Sequence, residues 1–309
     1  MAVTQYLYTD TDAPVLNGQP GSFIALLKAV LVDGYGTKAG MGWTLEYETG
    51  TIAVFRNSTA AGSTGMYLRV DDSNWQYALV KGYKTMSDVS TGTDAIPGIL
   101  PTYSNSNIFW PKSANNNTNP VMWNFIGDER TFYLNVCPWA SQNANQFANY
   151  AYIYAAGDYE SYVPSFTHNY FIAGNYDGGY SSNGPSMIDD QSSYVCCAIG
   201  RAQDNVADKY SKAWVSYMAG SAPSGSYNHH AFSVYTGQRI FYPAYLIENA
   251  VQTNITGKWR GLYGMVGRAS FTWNENYGKL PNNPTGPDLI QFAVSNNSTQ
   301  GVYILNGGW

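Results

Sequence analysis

The stretch SFIALLKAVLVDGYGTKAGMGWTLEY, residues 22–47, decides the fold. Phe23, Ile24, Leu27, Val30 and Leu31 recur at helical spacing, which predicts a helix over 23–32 with one apolar face that must cover a sheet. Ser22, following Pro20 and Gly21, is the expected N-cap, and Gly34 stands where a left-handed C-terminal cap is wanted. Gly34, Gly36, Gly40 and Gly42 then lead into a strand from Trp43. Their spacing approaches the G-x-G-x-x-G/A of dinucleotide sites, but that site needs a strand before the glycines and a helix after them. Here the order is reversed, and the helix C-terminus that meets the glycines repels phosphate. A Walker loop is excluded as well, because Lys38 lies between Thr37 and Ala39 and no helix continues. The glycines are therefore a helix-to-strand corner.

Outward from that corner the chain reads as strands. Residues 43–49, 51–57, 66–72 and 76–84 are β-branched and aromatic runs separated by Gly50, Gly62, Gly65 and the Asp72-Ser73-Asn74 turn, which predicts an antiparallel meander. Residues 121–136 read as a hairpin with its tight turn at Gly127-Asp128. Further strand-like runs follow at 193–201, 231–247, 258–273, 289–296 and 302–305, while 144–155 fits a short helix or a strand. Loops rich in Pro, Gly, Asn and Ser span 85–120, 174–193 and 219–229, and the first is long enough to be an interaction element or an insertion. No long helical period recurs, which argues against a doubly wound α/β fold. The expected fold is mainly β: antiparallel sheets or a sandwich, with one N-terminal helix packed on a sheet. A boundary near residue 140 would divide it into a helix-plus-meander domain, 1–140, and a second β-rich domain, 141–309.

Composition narrows the partners. The 309 residues are 44% hydrophobic, enough to bury a sizeable core. Only 12% are charged, against roughly 25% in ordinary soluble domains. Ser, Thr, Asn, Gly and 27 tyrosine hydroxyls must wet the surface instead, as is common in β-rich proteins of extended assemblies or in sugar binders. A net charge of -5 without a basic run argues against nucleic acid as a partner. No apolar run is long enough for a membrane span, and the N-terminus lacks the pattern of a signal peptide. The expectation is a soluble protein made in the cytoplasm.

A search for chemistry returns little. Asp128-Glu129-Arg130 is the densest charge group, but neighbours in sequence point to opposite faces, so the expectation is a turn with a local arginine pairing. Asp71-Asp72 and Asp189-Asp190 lack the alternating spacing of a calcium loop. His168, His229 and His230 show no zinc pattern, and Cys137, Cys196 and Cys197 read as free thiols in strands. No catalytic, cofactor or metal residues are assigned. Loop aromatics are the remaining resource, and Tyr176, Tyr180 and Tyr227 are candidate interface or glycan contacts.

The block LLKAVLVDGYGTKAGMGWTLEY…AVFR, followed by MYLRVDD, VKGYKTMSDV, GDERTFYLNV and RGLYGMVG, resembles a family of uncharacterised virion structural proteins of tailed bacteriophages. The likeness runs in patches over most of the chain and is most specific in the first block. It implies a non-enzymatic particle component built in many copies and does not itself assign a position on the particle; the expectation is a tail, baseplate or neck protein made in the host cytoplasm. It would contact other virion proteins and copies of itself, by burial of loop aromatics and strand addition at exposed edges. The alternatives are a capsid-decorating protein, a receptor- or glycan-binding module displayed on the particle or, more remotely, a glycan hydrolase.

Overall fold

A computed structural model describes residues 3–98, 107–138, 152–163, 166–175, 197–201, 206–208, 210–216, 241–248, 255–265, 289–293, 301–305 and 309. The fold is mainly β, in antiparallel sheets, with one short helical segment near the N-terminus.

The predicted meander forms as β2 (Thr44–Thr49), β3 (Ile52–Arg56), β4 (Tyr67–Asp71) and β5 (Tyr77–Tyr83). A fifth strand, β8 (Ile108–Pro111), joins β5 and completes a sheet in the order β2-β3-β4-β5-β8. It comes from within the 85–120 segment read as a loop, as do β6 (Thr85–Met86) and β7 (Gly92–Thr93), which pair with each other. The Pro and Asn around these strands hid them: β8 is only four residues, yet Ile108 and Trp110 are fully buried.

The second sheet begins with β1 (Thr4–Leu7) at one edge, beside the hairpin β9 (Met122–Gly127) and β10 (Thr131–Cys137). It continues through β11 (Tyr152–Asp158), β13 (Tyr170–Ala173), β14 (Cys197–Gly200), β15 (Tyr210–Ser216), β16 (Phe241–Glu248) and β17 (Ile255–Met265). It ends with β19 (Gly301–Leu305) and β18 (Leu289–Ala293), while β12 (Glu160–Ser161) pairs with β17. Residue 140 falls between β10 and β11, which are neighbours in this sheet.

Alternation along β10 shows how the layers stack. Phe132, Leu134 and Val136 enter a core shared with the helix and the five-stranded sheet. Tyr133 points the other way, into a core with Trp259 of β17 and Leu246 of β16. The larger sheet curls so that β16 and β17 cover the far side of its own central strands. Phe171 meets Trp259 edge-on, 4.5 Å between ring centroids, and the Tyr133 hydroxyl donates to the Arg260 carbonyl at 2.8 Å. All seven β10 residues are buried, as expected of a strand covered on both faces.

The helix differs from its expected form in two ways. Its α-helical part, α1, is Ser22–Leu27, and Lys28–Asp33 continue it as π-helix. The predicted apolar face is buried throughout. Ser22 is not the cap: Gly21 occupies the N-cap position, and the Ser22 hydroxyl donates to the Asn17 carbonyl. Asp72, just past β4, caps from a distance, its Oδ2 accepting the Phe23 N–H at 2.8 Å. At the other end Gly34 has φ 80° but ψ 173°, so it exits extended rather than as a left-handed cap. The reason lies in the corner itself. The chain folds back so tightly that the Met41 and Trp43 N–H groups donate to the Val30 and Leu31 carbonyls, satisfying acceptors a left-handed cap would otherwise serve. A Cβ on Gly34 would lie 2.3 Å from the Lys38 carbonyl oxygen, and one on Gly40 2.1 Å from that of Val32.

The hairpin turn is also displaced by one residue. Gly127 ends β9, and Asp128-Glu129-Arg130 make the turn, with Asp128 Oδ1 accepting the N–H groups of Arg130 and Thr131.

Candidate functional site

Tyr176, Tyr180 and Tyr227, the predicted contact aromatics, lie outside the described residues, as do Asp189, Asp190, Cys196, His229 and His230. Cys137 and Cys197 are buried free thiols in β10 and β14. Among the described residues no group of three or more His, Cys, Asp or Glu side chains could hold a metal ion, and no helix is long and apolar enough to cross a membrane.

The glycine corner makes a polar clasp over β1. In the pairing of β1 with β9, Tyr8 N–H donates to the Trp123 carbonyl, continuing the even-numbered residues that face β9. Gln5 and Leu7 therefore direct their main-chain groups away from the sheet. Lys38 Nζ donates to the Gln5 carbonyl at 2.8 Å, and Asp10 Oδ2 accepts the Leu7 N–H at 2.7 Å. Lys38 also pairs with Asp10, and the Tyr35 hydroxyl donates to the same carboxylate at 2.8 Å. Burial opposes the Asp10 charge, but Lys38, the Leu7 N–H and Tyr35 together hold its pKa below the ordinary carboxylate value. Burial and the Asp10 carboxylate push the Tyr35 hydroxyl well above the usual phenol range. The lysine that suggested phosphate chemistry is thus occupied with a carboxylate and a backbone carbonyl.

A second polar cluster gathers residues distant in sequence. Arg201 donates to both oxygens of Asp94, Nε at 3.1 Å and Nη2 at 3.0 Å. Asp94 and Asp208 exchange hydrogen bonds, each N–H donating to the other's carboxylate, at 2.9 and 2.7 Å. His168 Nε2 lies 3.5 Å from Asp94 Oδ2, and its Nδ1 lies 3.1 Å from the Thr167 hydroxyl. Asp94, Arg201 and Asp208 all have positive φ, at 50°, 40° and 56°, a conformation that costs side-chain-bearing residues energy and persists only where surroundings enforce it. Burial and then Arg201 lower the His168 pKa, outweighing the attraction of Asp94. Thr167, His168 and Asp94 form a chain of hydroxyl, imidazole and carboxylate, but Arg201 and the Asp208 N–H fill the carboxylate. That leaves Asp94 a tie rather than a base.

Three further carboxylates make ties of the same kind. Asp72 and Lys112 form an ion pair with both side chains fully buried. Burial raises the Asp72 pKa to about 6 against the pull of Lys112 and lowers that of Lys112. Asp128 receives Arg260 on both oxygens, at 3.0 and 2.8 Å, and so joins the β9–β10 turn to β17. Asp158 accepts from Asn57, Ser63, Thr64 and Arg130 and anchors the 57–65 loop to β11. The expected local pairing in Asp128-Glu129-Arg130 is replaced by these two long-range ones. An arginine two residues away on a tight turn competes poorly with guanidinium groups brought in by packed strands. No periodicity marks Arg260, Lys112 or Arg201 as partners; only their rarity in a chain with so few charges singles them out.

No protein-family model and no curated protein matches the chain.

Proposed function

We propose that the chain is a non-enzymatic structural component of a tailed-bacteriophage virion, assembled in many copies at a tail, baseplate or neck. The observation that carries this reading is the use made of the block with the most specific resemblance. Its helix is capped by Asp72, its glycines turn the chain through a corner with no room for a Cβ, and Lys38 and Tyr35 seal a sheet edge. These residues build a scaffold. Asp72, Asp94, Asp128 and Asp158 likewise tie layers together, in keeping with a part that must hold its shape in an assembly.

Mass spectrometry of purified particles from an infected host tests the proposal. The chain is expected among the virion proteins at a multi-copy ratio. Its absence from particles that contain the other structural proteins would overturn the reading.

A further inference from the structure

We propose that the Asp10–Tyr35–Lys38 clasp is an inhibitory contact that stops the outer edge of β1, which no other strand among the described residues pairs with, from pairing with the β1 edge of a second copy. A strand edge with open donors and acceptors is a template for another chain. On β1 the outward groups belong to Gln5 and Leu7, and the clasp takes one of each kind: Lys38 holds the Gln5 carbonyl and Asp10 the Leu7 N–H. The Leu7 carbonyl is held by the Asp10 N–H at 3.0 Å and faces the Tyr35 hydroxyl at 3.5 Å.

The choice of a second copy follows from the register of these groups. Antiparallel pairing of two β1 strands about a two-fold axis, centred on Tyr6, sets Gln5 opposite Leu7 of the other copy. The acceptor freed from Lys38 then meets the donor freed from Asp10, twice, once in each direction. The clasp occupies the two groups that would otherwise complement themselves. This inference stands on the geometry of β1 and not on membership of a virion, so either can fail without the other.

The test is the mass of the purified full chain by light scattering. Asp10→Ala with Lys38→Met is expected to at least double the mass relative to the unsubstituted chain. Adding Gln5→Pro should restore it, because proline removes the outward N–H and blocks approach while leaving the main-chain bonds to β9, and costs only the long 3.4 Å contact of the Gln5 amide with Asn124 Oδ1. Removing the exposed Lys28–Glu48 pair by Lys28→Met should change nothing. An unchanged mass in the folded double variant, or a rise that Gln5→Pro leaves in place, overturns the proposal. If the double variant does not fold, Lys38→Met alone frees the Gln5 carbonyl, and concentration-dependent dimers are then expected. Their absence overturns the proposal equally.

Discussion

At the scale of single residues, Asp72 carries an unusual load. Its carboxylate caps α1 through Phe23 and neutralises Lys112, whose ammonium also donates to the Gln19 carbonyl at 2.8 Å. Asp72→Asn keeps the shape but leaves a buried ammonium without a counter-charge, and such losses cost about 3–5 kcal/mol. We expect a correspondingly lower denaturant midpoint. Asp72→Leu combined with Lys112→Met should recover part of the loss, since no charge then stays buried; the urea midpoints of the two variants check this. Asp72 was legible in the sequence only as half of an acidic pair in a turn. Its role arises because the β4 end and the helix start meet in space, a contact that no local spacing records.

At the scale of elements, strands and helix face were readable where the hydrophobic period and the turn residues agreed. The runs at 51–57 and 66–72 yield β3 and β4 because Gly and Asp punctuate them and their side chains alternate between two faces, Ala53, Phe55, Leu68 and Val70 entering the main core and Val54 and Tyr67 a smaller cluster on the other side. β1 and β8 escaped for the opposite reason: four residues are too few for a period, and long-range pairing supplies what local preference lacks. The polar ties were the least readable, and the segment leading from β7 illustrates their effect. Its Asp94 is fastened to the start of β13 through His168, to the end of β14 through Arg201 and to the start of β15 through Asp208, with Lys84 nearby. The lowered His168 pKa gives the fastening a pH dependence. The folded protein binds this proton less readily than the unfolded chain, so the stabilisation is full above the ordinary value of 6.5 and is lost as pH falls through the lowered one. Asp72 acts with opposite sign: its raised pKa gives stabilisation that is full below 3.8 and lost as pH rises through about 6. Separating the two requires variants. His168→Gln should flatten the fall in urea midpoint below pH 6.5, and a fall as steep as that of the unsubstituted chain would contradict this assignment.

At the scale of the whole molecule, the central strands are buried from both sides. The cores on the two faces of β10 share its backbone, so neither can melt while the other stays native. Phe132 and Tyr133, adjacent in sequence, serve opposite layers. Denaturation followed by far-ultraviolet circular dichroism and by tryptophan fluorescence is expected to give one coincident transition, because Trp110 and Trp123 report one core and Trp259 the other. The pairing of β1 with β9 adds a consequence in time. Some 120 residues separate the two strands, so at about 5–20 residues per second β1 leaves the ribosome on the order of ten seconds before its partner exists. Tyr35 and Lys38 follow it within a few seconds. During synthesis Asp10 can thus cover Leu7 as soon as it emerges, and the glycine corner brings Lys38 to the Gln5 carbonyl seconds before β9 exists.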